Sequence, residues 1–332
     1  MAVANELIER FRRDLDAIAR PKDRLGLAVS GGPDSLALLI LAAEARPGSV
    51  EAATVDHKLR PESEDEAKIV GEVCERLQVP HRVLEVHWKQ KPETGVQDRA
   101  RSERYRMLGT WALDRALDAL ATAHHADDQA ETFLMRLSRG AGVKGLAAMR
   151  AVSPTPRSEV RLLRPLLGWR RTELEQVCAS AGLTAIQDPT NEDEQFERVR
   201  VRRALATADW LDPAAIARSA SHLAAADGAL HWATTQAWEQ RVTAAPAEIL
   251  FDPAGLPLEI RWRLVRRAIL QLATEGEGVQ LRGRELDQLL PILNSGRRAT
   301  LRGVLCSGGK SWRFVPAPRR TRPPNSSRLN LG

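Results

Sequence analysis

Residues Ser30-Gly31-Gly32-Pro33-Asp34-Ser35 set two hydroxyls and a carboxylate around a Gly-Gly turn. The apolar run Leu25–Val29 precedes them, and Leu36-Ala-Leu-Leu-Ile-Leu41 follows at once. That order predicts a buried strand, a tight turn and the start of a helix. Such a turn gathers backbone N–H groups at the positive end of a helix dipole, which is a place to hold phosphate. Ser30 and Ser35 offer hydroxyls to phosphate oxygens, and Asp34 offers a carboxylate suited to Mg²⁺ beside them. A Walker A loop is excluded, because no lysine follows the glycines.

Two further polar clusters fall where strands are expected to end. Asp56-His57-Lys58-Leu59-Arg60 is one. The other is His124-His125-Ala126-Asp127-Asp128-Gln129-Ala130-Glu131, which opens a helix on which Asp127 and Glu131 share a face and Asp128 and Glu131 nearly do. Acids in a first turn can simply answer the helix dipole. Two histidines with three acids at a strand end also make a credible metal or phosphate site. Arg101 and Arg104 sit on neighbouring turns of another expected helix, either as a phosphate clamp or as part of a salt-bridged surface. Gly140-Ala-Gly-Val-Lys-Gly145 matches a dinucleotide fingerprint by letter, but it follows a helix where a strand is required. Gly309-Lys310-Ser311 resembles a Walker A ending, yet the glycine needed five residues earlier is Val304, so a hairpin turn beside Trp312 is expected.

The elements that must position these groups alternate. Strands are expected near 25–30, 50–56, 82–86 and 118–123, and helices near 35–46, 62–78, 97–115 and 127–138, after an amino-terminal helix over 5–19 capped by Asn5. This rhythm predicts an α/β fold with a doubly wound parallel sheet, whose ligands lie beyond the carboxyl ends of the strands. Residues 152–158 read as a surface loop, 161–167 as a strand, and 170–181 as a helix. A polar turn over 188–198 leads into an arginine-rich helix. Trp210–Pro213 marks the expected boundary between domains 1–210 and 211–332. The second is expected to be mainly helical over 214–294, with helices near 214–240, 257–275 and 282–294, and to end in short strands over 298–316.

The chain has 332 residues, 43% of them hydrophobic, which allows two packed domains and argues against wholesale disorder. Its net charge is +6, and no acidic residue follows Asp287, whereas Arg297, Arg298, Arg302, Lys310, Arg313 and four more arginines do. A block of one sign reads as a nucleic-acid contact or a solvated tail. Cys74, Cys178 and Cys306 lie far apart without a C-x-x-C pair, which disfavours zinc and iron–sulfur motifs and fits a reducing cytoplasm. No secretory signal and no run of about 20 apolar residues is present, so no membrane association is expected.

The opening hexapeptide resembles the pyrophosphate loop of ATP-using enzymes that adenylylate a carbonyl oxygen. Together with Val55–Arg60, Ala100–Tyr105, Ala123–Thr132, Arg139–Leu146, Arg164–Leu167 and Asp188-Pro-Thr-Asn191 followed by Arg198 and Arg202, it resembles the tRNA(Ile)-lysidine synthases over about residues 24–205. The carboxyl-terminal third matches more loosely. The resemblance implies an adenine nucleotide alpha hydrolase-like fold, ATP and Mg²⁺ as cofactors, and two partners: L-lysine and the isoleucine tRNA with a CAU anticodon. ATP would adenylylate the wobble cytidine at C2 oxygen, and the lysine amine would then displace AMP.

The same resemblance implies that Ser30, Gly31, Gly32, Pro33, Asp34, Ser35, Asp56 and Arg101 bind nucleotide, with Asp34 on Mg²⁺. Arg104 would stabilise the transferred phosphoryl. His124, Asp128 and Glu131, with Asp127, would surround the cytosine and the lysine; which of them is the base stays open. Arg139, Arg198, Arg202, Arg203, Arg297 and Arg298 would grip tRNA. A tRNA thiolase, a metal-dependent phosphoesterase and a noncatalytic tRNA-binding protein are the rivals. Whether the chain acts as a monomer or a homodimer is left open.

Overall fold

The computed structural model describes residues 3–58, 63–88, 95–183, 197–273, 281 and 283–318. They form two compact units, Met1–Ala225 and Ala226–Gly332. Arg60 and the Asp188–Asn191 motif lie outside the described residues, as do the arginines beyond position 318.

The first unit runs α1 (Asn5–Asp16), β1 (Leu25–Ala28), α2 (Pro33–Ala45), β2 (Val50–Asp56), α3 (Ser63–Arg76), β3 (His81–Glu85), α4 (Val96–Asp114) and β4 (Ala119–Ala121). It continues with α5 (Ala126–Leu137), α6 (Val143–Leu146), β5 (Val152–Pro154), β6 (Arg161–Leu163), α7 (Arg171–Ser180), α8 (Glu197–Thr207) and the start of α9 (Pro213–Arg241). The sheet order is β3-β2-β1-β4-β6-β5. Every pairing is parallel except β5 with β6. This is the expected doubly wound α/β sheet.

Helix α2 is apolar on all sides, and Leu36–Ala42 are buried throughout. A helix of that composition is stable only when covered on every side. Phe11 and Leu15 of α1 and Leu174 and Val177 of α7 share its core cluster with Leu25 and Leu27 of β1. The loop at the amino end of α2 is therefore mounted on a rigid element. Gly26 of β1 is needed for close approach, since a Cβ there would lie 2.7 Å from the Trp111 ring and 2.9 Å from Leu117 and Leu120. Gly26→Ala is expected to cost about 1–3 kcal/mol by overpacking. In thermal unfolding that is a fall of about 2–4 °C per kcal/mol for a unit of this size.

Several local expectations are corrected. Asn5 does not cap α1, because Ala4 occupies the cap position and no side-chain cap bond forms. Residues 152–158 are not only a surface loop. Val152–Pro154 forms an antiparallel edge strand, where a proline's missing N–H is tolerated, and Thr155 behind it is 1% exposed. The two compact units part at Ala225, inside the 29-residue helix α9.

The second unit continues from α9 with β7 (Val242–Ala245), β8 (Glu248–Phe251), α10 (Leu258–Leu272), α11 (Gly283–Asn294), β9 (Arg298–Leu301), β10 (Val304–Ser307) and β11 (Trp312–Pro316). An antiparallel sheet, β7-β8-β11-β10-β9, packs Phe251, Trp312 and Phe314 against Leu264, Ile269 and Leu290. The hairpin β7–β8 escapes sequence reading because its alanines and proline carry little strand signal. Gly309-Lys310 lies in the β10–β11 hairpin turn, as expected.

Candidate active site

Three parallel strands deliver the site from their carboxyl ends. After Ala28 the chain makes one more ladder bond, Val29 N–H to Ala53 O at 3.0 Å, and then turns. Gly31 has φ +88°, a left-handed conformation that glycine accepts without a Cβ penalty. Gly32 caps α2 and Pro33 opens it, where a missing N–H costs nothing. The Ser35 hydroxyl donates to Gly32 O at 2.9 Å and accepts from Ser30 N–H at 3.1 Å. Ser35, expected on phosphate, thus braces the loop from within. Ser30 and Gly32 remain accessible, whereas Gly31 is buried.

Asp34 projects from the first turn of α2. Its Oδ1 is buried without a hydrogen-bond partner, and its Oδ2 lies 3.4 Å from His125 Nε2. His125, at the end of β4, is 4% exposed and lies within 3.4 Å of Asp127 and 3.5 Å of Asp128 as well. Burial pulls its pKa down, but Asp127 and Asp34 outweigh that and raise it to about 10. His125 is therefore a cation at neutral pH, held by three carboxylates. Burial opposes ionisation of Asp127, yet His125, the Arg171 N–H at 2.9 Å and Arg170 keep its carboxyl well below the usual range. For Asp128, too, the charges of His125 and Arg198 overcome burial and depress the pKa.

The acids on α5 divide differently from the helical spacing alone. Asp127 turns to Arg170, whose Nη1 also reaches Asp212 at 3.2 Å. Asp128 and Glu131 share Arg198. Glu131 is 2% exposed and accepts from Arg198 Nε and Arg202 Nε, each at 2.6 Å. These bonds tie α8 to α5. Arg198 and Arg202 thus sit in the acid cluster. Arg139 pairs with Glu197 at the start of α8, and Arg203, Arg297 and Arg298 are exposed.

His124 takes a different hydrogen-bond partner while feeling the charge of Asp128. Its Nδ1 lies 2.9 Å from Thr122 Oγ1, and burial holds its pKa far below the ordinary value. At the end of β2, Asp56 is 2% exposed and accepts from Lys58 N–H at 2.8 Å and Lys58 Nζ at 3.0 Å. Arg101 and Arg104 are exposed on α4, and the Arg101 guanidinium lies 5.1 Å from the centre of the Tyr105 ring.

His57 is neutral. Burial and then Arg104 lower its pKa to about 4, and its Nδ1 has no partner. The folded value lies below the unfolded value of about 6.5, so the unfolded chain takes up the proton first as pH falls. Stability present above pH 6.5 is then lost on acidification toward pH 4. Because the ring is partly solvated, the loss between pH 6.5 and 5 is about 1 kcal/mol. Urea titrations at pH 7 and 5 are expected to show it, with a smaller pH effect in His57→Gln.

The structure thus joins Asp34, Asp127, Asp128 and, through Arg198, Glu131 in one network. His124 is hydrogen-bonded outside that network, to Thr122, but it lies within reach of the charges of Asp128 and Arg198. Sequence reasoning underweighted His125, its central cation, and missed Arg170. The signal for His125 was its place at the helix cap, three residues before Asp128.

A parallel sheet with a Ser-Gly-Gly turn, a helix amino terminus and a carboxylate at its carboxyl edge defines a PP-loop, ATP-using protein. The family described as the PP-loop domain matches residues 4–208. The U34-tRNA thiolase NcsA from Methanococcus maripaludis, solved with its [4Fe-4S] cluster, shares the fold. The TM-score is 0.54 at 17% identity, covering 65% of this chain and 78% of that one.

The relatives are closer in sequence. The tRNA(Ile)-lysidine synthase of Novosphingobium aromaticivorans is 46% identical over 311 residues, 93% of each chain. That of Zymomonas mobilis is 42% identical over 299 residues, 90% of this chain and 89% of the other. The chain belongs to the tRNA(Ile)-lysidine synthase family. Among the described residues no helix is long and apolar enough to cross a membrane.

Proposed function

We propose that the chain joins L-lysine to C2 of the wobble cytidine in the CAU-anticodon isoleucine tRNA, converting its decoding from AUG to AUA. The C2 carbonyl oxygen attacks the α-phosphorus of ATP, and pyrophosphate leaves. The lysine amine then attacks C2, gives up a proton, and AMP leaves with the oxygen. The observation that carries this reading is Asp34 Oδ1, a buried carboxylate oxygen without a partner beside the loop and the His125 cation.

The first helical turn after Gly32 offers backbone N–H groups to pyrophosphate, as helix amino termini do. Asp34 fits Mg²⁺, because its orphaned oxygen is the hard donor such an ion takes. When bound, the ion offsets charge between the α- and β-phosphates. His125 holds positive charge where the phosphates would gather, and Arg101 and Arg104 are exposed for the same charge. Asp128, whose carboxyl is held below the usual range, and Glu131 are assigned to the lysine ammonium. Arg139, Arg203, Arg297 and Arg298 are assigned to tRNA contact, and Arg198 and Arg202 to the ordering of Glu131. A cytoplasmic location fits a reaction on tRNA.

A thiolase reading needs reactive cysteines. Cys74 and Cys178 are buried, and burial pushes both thiols up to about 12. The test is labelled lysine with ATP and a CAU transcript. Acid-precipitable label that requires both ATP and the CAU anticodon is expected. ATP-dependent sulfur transfer without lysine incorporation would favour the thiolase.

A further inference from the structure

Helix α7 begins on a fixed base. Trp169 is wholly buried, and its Nε1 donates to Asp14 Oδ2 at 2.8 Å. Trp169 O accepts the Ala126 N–H at 2.8 Å, which joins this turn to the start of α5. Arg170 then caps α7, and its N–H donates to Glu173 Oε2 at 2.7 Å. Arg10 in turn holds Glu173 Oε1 at 2.5 Å and Gly168 O at 2.9 Å. The backbone from which the Arg170 side chain departs therefore has little freedom.

The guanidinium is pinned at three nitrogens. Its Nε donates to Asp127 Oδ2 at 3.3 Å and its Nη2 to Asp127 Oδ1 at 3.2 Å. Its Nη1 donates to Asp212 Oδ1 at 3.2 Å. Asp212 is itself fixed, because it accepts the Ala214 and Ala215 N–H groups of α9 at 2.9 and 3.1 Å. A planar fork on both oxygens sets the plane of a carboxylate, which the single Arg171 N–H on Oδ2 does not. Asp127 Oδ2 in turn faces His125 Nδ1 at 3.4 Å, while His125 Nε2 faces Asp34 Oδ2 at 3.4 Å. An imidazole takes its orientation at one nitrogen from the carboxylate on the other. The His125 ring is buried between these two acids, so a shift of Asp127 is felt at Asp34.

We propose that Arg170 is a positioning residue for the first chemical step: it fixes Asp127, and Asp127 sets the His125 ring against Asp34 beside the Ser30–Ser35 loop. The proposal rests on the reading that the chain adenylylates tRNA, since that is the step the loop serves. Arg170 acts through two side chains, so its loss misaligns the histidine and the carboxylate at the loop without removing either. Arg198 holds Asp128 and Glu131 instead, the acids assigned to lysine. The two arginines thus serve different steps.

The test uses the full chain with Arg170→Gln, Asp127→Asn and the double variant. With α-labelled ATP and the CAU transcript, Arg170→Gln is expected to slow attachment of label to tRNA about tenfold, the scale of loss for groups displaced by a fraction of an ångström. Discharge of that label by added lysine keeps its wild-type rate, and KM for tRNA is unchanged. The double variant is no slower than Asp127→Asn, as expected of two residues acting in series. Tm falls by no more than about 4 °C, because these pairs are partly solvated. Equal slowing of both steps, or additive losses in the double variant, overturns the proposal. The ring-nitrogen resonances of His125, assigned with His125→Gln, are read in the same variants. Arg170→Gln is expected to shift them in the same sense as Asp127→Asn, and an unmoved signal also overturns the proposal. Failure of the wild-type chain to label tRNA would overturn the functional reading, while the His125 signal still judges Arg170.

Discussion

Asp34→Ala is expected to reduce lysine incorporation into the CAU transcript by about 10³-fold or more, with tRNA affinity little changed. Loss of one preorganised charge in an active site costs about 10²–10³ in rate, and Asp34 does more than one task. It contributes the partnerless oxygen beside the loop and one of the three carboxylates around His125. Removing it takes away the donor proposed for Mg²⁺ and unbalances the His125 cation. Asp34→Asn keeps the shape and loses the charge, so it is expected to be nearly as inactive. The side chain is half-buried at the mouth of the loop, and α2 is secured by its apolar sides, so both variants should fold. Filter binding of tRNA beside the incorporation assay separates lost chemistry from lost substrate. Normal turnover by either variant would remove Asp34 from the account.

Glu131→Gln should cost both stability and activity. Glu131 is almost wholly buried between two guanidinium groups that anchor α8 to α5. Breaking a buried pair costs about 3–5 kcal/mol, but Arg198 and Arg202 are partly solvated, which lowers the expectation to about 2–3 kcal/mol. For a unit of this size that is a fall in Tm of roughly 4–12 °C. Activity should fall by about 10² or more, since Arg198 also holds Asp128. Asp128→Asn leaves Glu131 and its arginines paired, so its Tm should fall less while its activity falls comparably. Equal losses of stability in the two variants would show that Glu131 is not the anchor.

The course of the fold was legible because its signals were local and strong. Leu25–Val29 before Ser-Gly-Gly, and Leu36–Leu41 after it, allow few structures other than β1, the loop and α2. What escaped was set by distant partners. The acids at 127, 128 and 131 suggested one shared helical face, yet Asp127 turns to Arg170 and Asp128 to Arg198, on helices 43 and 70 residues away. The paired histidines were equivalent by sequence. Only the fold shows His125 against three carboxylates and His124 against Thr122. Ser35 read as a phosphate contact because its hydroxyl is at the loop, but the turn's own geometry claims it. The β7–β8 hairpin was hidden because Val242–Phe251 pairs through backbone groups and not through a strong side-chain pattern.

The central claim is that the Ser30–Asp34 loop and the acid–histidine cluster activate a tRNA carbonyl by cleaving ATP between its α- and β-phosphates. It is tested most directly with α-labelled ATP, stoichiometric enzyme and the CAU transcript, first without lysine and then with it. The account expects label to become attached to the tRNA as pyrophosphate is released, and then to be discharged as AMP when lysine is added. Labelled ADP, or lysine transfer without any tRNA-bound label or AMP, would contradict it.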